Sequence, residues 1–271
     1  METVTTPYTS ILTIAGSDSG GCAGIQADIK SISACGAFAA SVITATTAQS
    51  TQGVIDIHPI PIDHLEKQLD AVFSDIDFSA VKIGMLHSCE VIETIKQKLS
   101  AYKVDNIVID PVMIASSGDA LITDNAIECL KKLLPMARLI TPNSKEAAVL
   151  IGHEVNRTNA HATAHEIGLT FKTSVLLKGG HLENSNAHML DILFEYPSGK
   201  IYEIQHPYIN TNNTHGTGCS LSSSIAAFLG QEYNLEQAVK KACSYINEAI
   251  ENGKNKRLGK GHGPINHFGL K

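Results

Sequence analysis

Short apolar runs rich in Ile, Val and Leu alternate along this chain with longer stretches whose apolar positions recur every three or four residues. Ile11 to Ala15, Ser41 to Thr47, Ala80 to Gly84, Asn106 to Asp110, Arg138 to Thr141 and Ser174 to Lys178 are of strand length. Strands separated by helical patterns predict a mostly parallel sheet. Between them, Ile25, Ile29 and Ile32 form a helical stripe closed by Gly36, and similar stripes run from His64 to Ile76 and from Asn125 to Leu134. Late in the chain, Asp191 to Tyr196 and Lys200 to His206 flank Pro197-Ser198-Gly199, which predicts a hairpin and an antiparallel sheet edge. A final helix from Leu235 to Ile250 carries Leu235, Ala238, Val239, Ala242, Ile246, Ala249 and Ile250 on one face. The fold class expected is α/β, with helices on both faces of the sheet.

No repeat or Pro/Ser-rich linker divides the chain, so residues 1–271 are read as one domain, with Gly253 to Gly263 as its loosest segment. A hydrophobic content of 43% over 271 residues is enough for a large core. The formal charge of −6 argues against a nucleic-acid partner, since phosphate backbones are bound by clustered Lys and Arg. The apolar runs are too short to cross a membrane, and the first residues lack a secretion-signal order, so a cytoplasmic location is expected. The six cysteines, at 22, 35, 89, 129, 219 and 243, show no C-x-x-C spacing and read as free thiols. Twelve histidines form no H-E-x-x-H or paired Cys/His pattern, so no structural metal is expected.

The chemistry concentrates in Asn213-Thr214-His215-Gly216-Thr217-Gly218-Cys219. Leu221, Ile225, Phe228 and Leu229 follow on one helical face, so Cys219 falls in a first turn. Unpaired backbone N–H groups and the positive helix end attract phosphate there, and the same field is expected to lower the thiol pKa. A tight turn followed by a buried small residue explains the same letters. The glycine loop Gly16 to Gly24 follows the first strand, where open α/β sheets bind ligands, but satisfies neither common nucleotide fingerprint. Asn143 to Glu146 starts a helix, and Asp110-Pro111 ends a strand with a carboxylate. Asp110 and Glu146 suit Mg²⁺ held through waters beside a triphosphate, although Asn143 and Glu146 also read as an ordinary capping box. Lys178, before Gly179-Gly180, places a cation at a strand end, either for phosphate or for solvent.

Taken together, Thr13 to Asp18, Gly24 to Asp28, Lys82 to Leu86, Asp110 to Met113, Thr141 to Asn143, Lys178 to His181 and the Cys219 stretch resemble the hydroxymethylpyrimidine/phosphomethylpyrimidine kinases, in family order over nearly the whole chain. The tail from Gly259 to Pro264, with His267, resembles that family's ending too. The resemblance implies a ribokinase-like three-layer sandwich and a kinase of thiamine biosynthesis. It would use ATP and Mg²⁺ on 4-amino-5-hydroxymethyl-2-methylpyrimidine and then on its monophosphate. It implies Cys219 as base, with the backbone N–H groups of Gly216, Thr217, Gly218 and Cys219 around the moving phosphoryl group. It also implies Gly16, Asp28, Gln49 and Met85 as pyrimidine contacts, with Gln49 facing the ring. Lys178, Asn143, Glu146 and Thr214 would serve ATP, and Asp110 with Glu146 the metal; a homodimer is implied as well. Three positions depart from the family's usual pattern. Cys22 stands where Gly or Ala is common and Ser116 where Lys or Thr is, while Cys243 occupies a place where the family often presents a nucleotide-side Lys.

Competing readings are a vitamin B6 kinase, a thiol hydrolase pairing Cys219 with His215, and a pyrimidine-binding protein without turnover. Ser116 to Ala120 and Gly179-Gly180 are the candidate closing segments.

Overall fold

Strand β1 (Ser10–Asp18) is buried along almost its full length, as expected of a central strand covered on both faces. The structure, a computed structural model, describes residues 6–113, 122–180 and 188–269. β1 pairs in parallel with β2 (Phe38–Ser50) on one side and with β4 (Ala80–Ile83) on the other. Parallel pairing then continues through β5 (Ile107–Ile109), β6 (Leu139–Ile140) and β7 (Ser174–Leu177). The antiparallel hairpin of β8 (His188–Glu195) and β9 (Lys200–Pro207) closes that edge, as its turn predicts. β3 (Gly53–Pro59), unforeseen in the sequence pattern, pairs antiparallel with β2 and ends the opposite edge.

Helices cover both faces. Helices α1 (Gly24–Ala34), α7 (Thr217–Gly230) and α8 (Leu235–Gly253) pack with Ile11, Val108, Leu139 and Leu176 on one side. The other side carries α2 (Ile62–Phe73), α3 (Cys89–Ala101), α4 (Asp124–Leu133), α5 (Ser144–Ile151) and α6 (Ala160–Phe171). Because β1 has β2 on one side and β4 on the other, the chain reverses its direction of travel across the sheet at β1. A crevice opens at the carboxyl ends of strands at such a switch point. Gly16, near the end of β1, and Met85, just beyond β4, lie there.

Two expectations fail. The cysteines are not all free: α3 and α4 pack so closely that Cys89 and Cys129 form a disulfide. The segment 253–263 is not loose. Asn213 Nδ2 donates to Gly253 O (2.7 Å) and Lys256 O (2.6 Å), and Thr51 takes the N–H groups of Gly261 and His262. Among the described residues, no helix is long and apolar enough to cross a membrane.

Candidate active site

One cavity of about 680 Å³ runs across the carboxyl ends of the strands and collects most of the residues singled out in the sequence. Its floor is the amino end of α7. Gly216, the residue before that helix, holds φ +81°, and a Cβ there would lie 1.8 Å from Cys22 O. Only glycine allows α7 to approach the glycine loop this closely. The Thr217 N–H goes to Thr214 O and the Ser220 N–H to Gly216 O. By helix geometry, Gly218 and Cys219 then have N–H groups with no partner inside the helix, available to an anion. A Cβ on Gly218 would lie 3.3 Å from Lys178 Nζ and 3.4 Å from Asp110 Oδ2, so this helix end meets the charged residues directly.

The expected lowering of the Cys219 thiol is not what the structure gives. Burial pushes it up to about 11, and Asp28 and Asp110 push the same way. The Lys82 ammonium and an N–H from Gly24 offset this only in part. Helix-end position was visible in the sequence, whereas the enclosure that outweighs it was not.

Asp28 does not line the cavity. Its carboxylate is fully buried behind Lys82, whose Nζ donates to both oxygens at 2.8 and 2.7 Å. Thr13 and Ser223 donate to the same group, each at 2.6 Å. Ser223 lies one helical turn after Cys219, so this buried pair sits beneath the start of α7. Lys82 is a cavity residue that sequence reasoning passed over, and a Cβ on Gly84 would come within 2.7 Å of its Nζ. The Lys82-Ile83-Gly84 run was its only signal.

Lys178 stands between carboxylates. Its Nζ donates to Asp110 Oδ1 at 2.9 Å and lies 3.9 Å from Glu146 Oε2. Both carboxylates hold Lys178 protonated well above the usual lysine range, against the effect of burial. Glu146 is raised to about 7, mainly by burial, with Lys178 opposing and Asp110 reinforcing. The capping box is real: Asn143 Oδ1 accepts the Glu146 N–H (2.9 Å) and Glu146 Oε2 accepts the Asn143 N–H (2.8 Å). Cap and site residue are therefore the same groups, and both line the cavity with Thr214.

Gly16, Met85 and Gln49 line the same cavity. A Cβ on Gly16 would fall 2.6 Å from Met85 Cε, so the two share one patch of wall. His215 Nε2 lies 3.1 Å from the Gln49 carboxamide, which gives it a partner other than the thiol assumed in the hydrolase reading. Cys243 lines the cavity from α8, its sulfur 4.0 Å from Asp191 Oδ2, and nearby lysines do not replace the missing cation. Lys240 pairs with Glu236, and Lys241 lies over the Phe228 and Tyr233 rings. Gly179 is pinned, its N–H given to Asp191 Oδ1 (2.7 Å) and its Cα against Leu190 O, which makes it a poor hinge. The candidate closing segment Ser116 to Ala120 and His181 lie outside the described residues.

The family described as Phosphomethylpyrimidine kinase matches residues 18–266. Hydroxymethylpyrimidine/phosphomethylpyrimidine kinase of Bacillus subtilis is 42% identical over 262 residues, covering 96% of this chain and 95% of that one. A crystal structure of phosphomethylpyrimidine kinase from Clostridium difficile is 42% identical, with a TM-score of 0.77 over 89% of this chain and 99% of the other. An ADP complex of Bacillus subtilis pyridoxal kinase is 29% identical, with a TM-score of 0.87 over 96% of this chain and 98% of the other.

Proposed function

Because this chain belongs to the phosphomethylpyrimidine kinase family, we propose that its cavity transfers the γ-phosphoryl group of ATP to 4-amino-5-hydroxymethyl-2-methylpyrimidine and then to the monophosphate, the two kinase steps of thiamine biosynthesis. The observation that carries the reading is one cavity lined by the Gln49 carboxamide, the α7 amino end, Cys219 and Lys178 together.

The pyrimidine lies along Gly16 and Met85, its hydroxymethyl group toward Cys219. The hydroxymethyl oxygen attacks the γ-phosphorus, the bond from that phosphorus to the ADP oxygen breaks, and the hydroxyl proton passes to the Cys219 sulfur. A loose transition state asks mainly for positioning and charge stabilisation. The N–H groups of Gly218 and Cys219 meet the equatorial oxygens, and Lys178 adds a fixed positive charge. Lys82 is the cation that favours the thiolate against its burial.

Asp110 and Glu146 fit Mg²⁺. Both are oxygen donors beside the phosphate end, and Glu146, raised to about 7, gains a reason to ionise when a divalent cation arrives. Bound there through waters, the ion would neutralise charge on the β- and γ-phosphates. A homodimer and a cytoplasmic location belong to the same proposal, the former testable by sedimentation.

The test is ADP release by the purified protein with each pyrimidine in turn, and with Cys219→Ala. Turnover of both in the parent protein, and loss of hydroxymethylpyrimidine turnover in the variant with pyrimidine binding retained, is the expected outcome; equal turnover of that substrate removes Cys219 from the role of base. The vitamin B6 kinase is the second reading, favoured by the close overlay on pyridoxal kinase. Phosphorylation of pyridoxine with none of the pyrimidine monophosphate would select it.

A further inference from the structure

Gln49 is held by two side chains, and their proton count decides which way its amide points. His215 Nε2 lies 3.1 Å from Gln49 Nε2, and Thr47 Oγ1 lies 3.3 Å from Gln49 Oε1. Thr47 has a single hydroxyl proton, and Oγ1 is also 3.0 Å from Ser17 O, a carbonyl that can only accept. If that proton goes to Ser17, the shorter of the two contacts, Thr47 has only lone pairs left for Gln49. The amide end beside it must then be the N–H₂ group. The two ends of a carboxamide are isosteric, so turning it over costs nothing in shape. After the turn, the oxygen faces His215, which must donate from Nε2.

A second observation points the same way. His215 is buried, and its Nδ1 has no hydrogen-bond partner. With Nε2 accepting, Nδ1 would carry a buried proton that makes no hydrogen bond, although the His262 backbone faces the ring. With Nε2–H donating, Nδ1 keeps only an unshared lone pair. Orphaned buried N–H groups are the rarer and costlier case. The Thr47 hydroxyl, one Gln49 amide N–H and the His215 Nε2–H are then each given to an acceptor along one direction.

We propose that His215 is a positioning residue for ring recognition: as the Nε2–H tautomer it fixes the Gln49 carboxamide with oxygen toward itself and nitrogen toward Thr47. One amide N–H and one oxygen lone pair remain for a ligand, in a set order. The substrate edge that fits has an acceptor nitrogen beside an amino group, as an aminopyrimidine has. Since the neighbouring hydroxymethyl group must face Cys219, the ring cannot turn over to suit a reversed amide. His215 thereby selects an amino-substituted ring over one with no amino group beside the hydroxymethyl carbon. The tail delivers this residue, because the His215 N–H bonds Gly263 O at 3.0 Å. The inference rests on Gln49 facing the pyrimidine, as in the proposed function.

Two measurements test it. In the intact protein, long-range ¹⁵N–¹H correlation of the imidazole nitrogens, with His215 identified by its absence from His215→Gln, should show protonated Nε2. Protonated Nδ1 would overturn the proposal. Calorimetric titration with hydroxymethylpyrimidine alone, on His215→Phe, Gln49→Leu and the double variant, supplies the second. His215→Phe should weaken binding about tenfold, the scale of one lost hydrogen bond, and should cause no further loss once Gln49 is Leu. Additive losses would refute the coupling, with ADP titration confirming that each variant keeps a folded cavity. A Gln49→Leu variant that binds as tightly as the parent protein would instead refute the ring placement itself.

Discussion

Gly216 and Gly152 share φ +81°, yet their surroundings differ, and replacing each with alanine separates backbone strain from steric exclusion. At Gly152 nothing lies within 4 Å of an added Cβ, so the cost is the left-handed conformation alone, about 1–2 kcal/mol. At Gly216 the same strain is joined by a Cβ placed 1.8 Å from Cys22 O, a backbone atom that cannot swing aside. Restoring contact moves α7 or the glycine loop by roughly 1.2 Å or more, and overpacking of this kind adds about 1–3 kcal/mol. The total for Gly216→Ala is about 2–5 kcal/mol, a large part of the 5–15 kcal/mol expected for a domain. Because the displaced element carries Gly218 and Cys219, a shift of about 1 Å should also lower turnover on the order of 100-fold. Urea unfolding and steady-state turnover on both variants are the assays. Gly152→Ala should lose about 1–2 kcal/mol with turnover retained, and Gly216→Ala more on both measures. Equal effects would refute the claim that close approach to Cys22 is what requires glycine at 216.

Further outcomes follow from the charges. With the Cys219 thiol at about 11, turnover limited by its thiolate should rise about tenfold per pH unit between pH 7 and 9; a flat profile there excludes the thiolate as base. Glu146, held up to about 7, is protonated below that value and ionised above it, so Mg²⁺ affinity should increase as pH rises from 6 to 8. Calorimetry showing no change, or no proton release, would remove Glu146 from the metal site. Lys178→Met leaves Asp110 and Glu146 without their shared cation and should destabilise the protein by about 3–5 kcal/mol. Unchanged stability by urea unfolding would mean that Glu146 simply takes up a proton.

Strand-length apolar runs located β1 and β4 to β7 because buried parallel strands are largely apolar, the β-branched run Ser41 to Thr47 located β2, and the Pro197-Ser198-Gly199 turn located the β8–β9 hairpin. β3 escaped because both its faces are largely open, so its residues carry no burial pattern. α3 has Val91, Ile92, Ile95 and Leu99 on one buried face and a Ser88 cap, a pattern present in the chain but read past. The site was legible wherever a motif is local, as at Gly216 to Cys219 and Asn143 to Glu146. It was not legible where partners are far apart: Asp28 meets Lys82 across 54 positions, and Gln49 meets His215 across 166. The same limit explains Cys89 with Cys129, and the tail fastened by Asn213 and Thr51. The Cys219 thiol shows the remaining gap, since a helix end is local but its enclosure is built by three separate segments, contributing Gly24 with Asp28, Lys82, and Asp110.

The most direct test of the account is phosphorus NMR of the products formed from ATP, Mg²⁺ and the pyrimidine monophosphate. Appearance of the pyrimidine diphosphate is the result predicted. Recovery of the monophosphate unchanged, beside phosphorylated pyridoxine in a parallel sample, would contradict it.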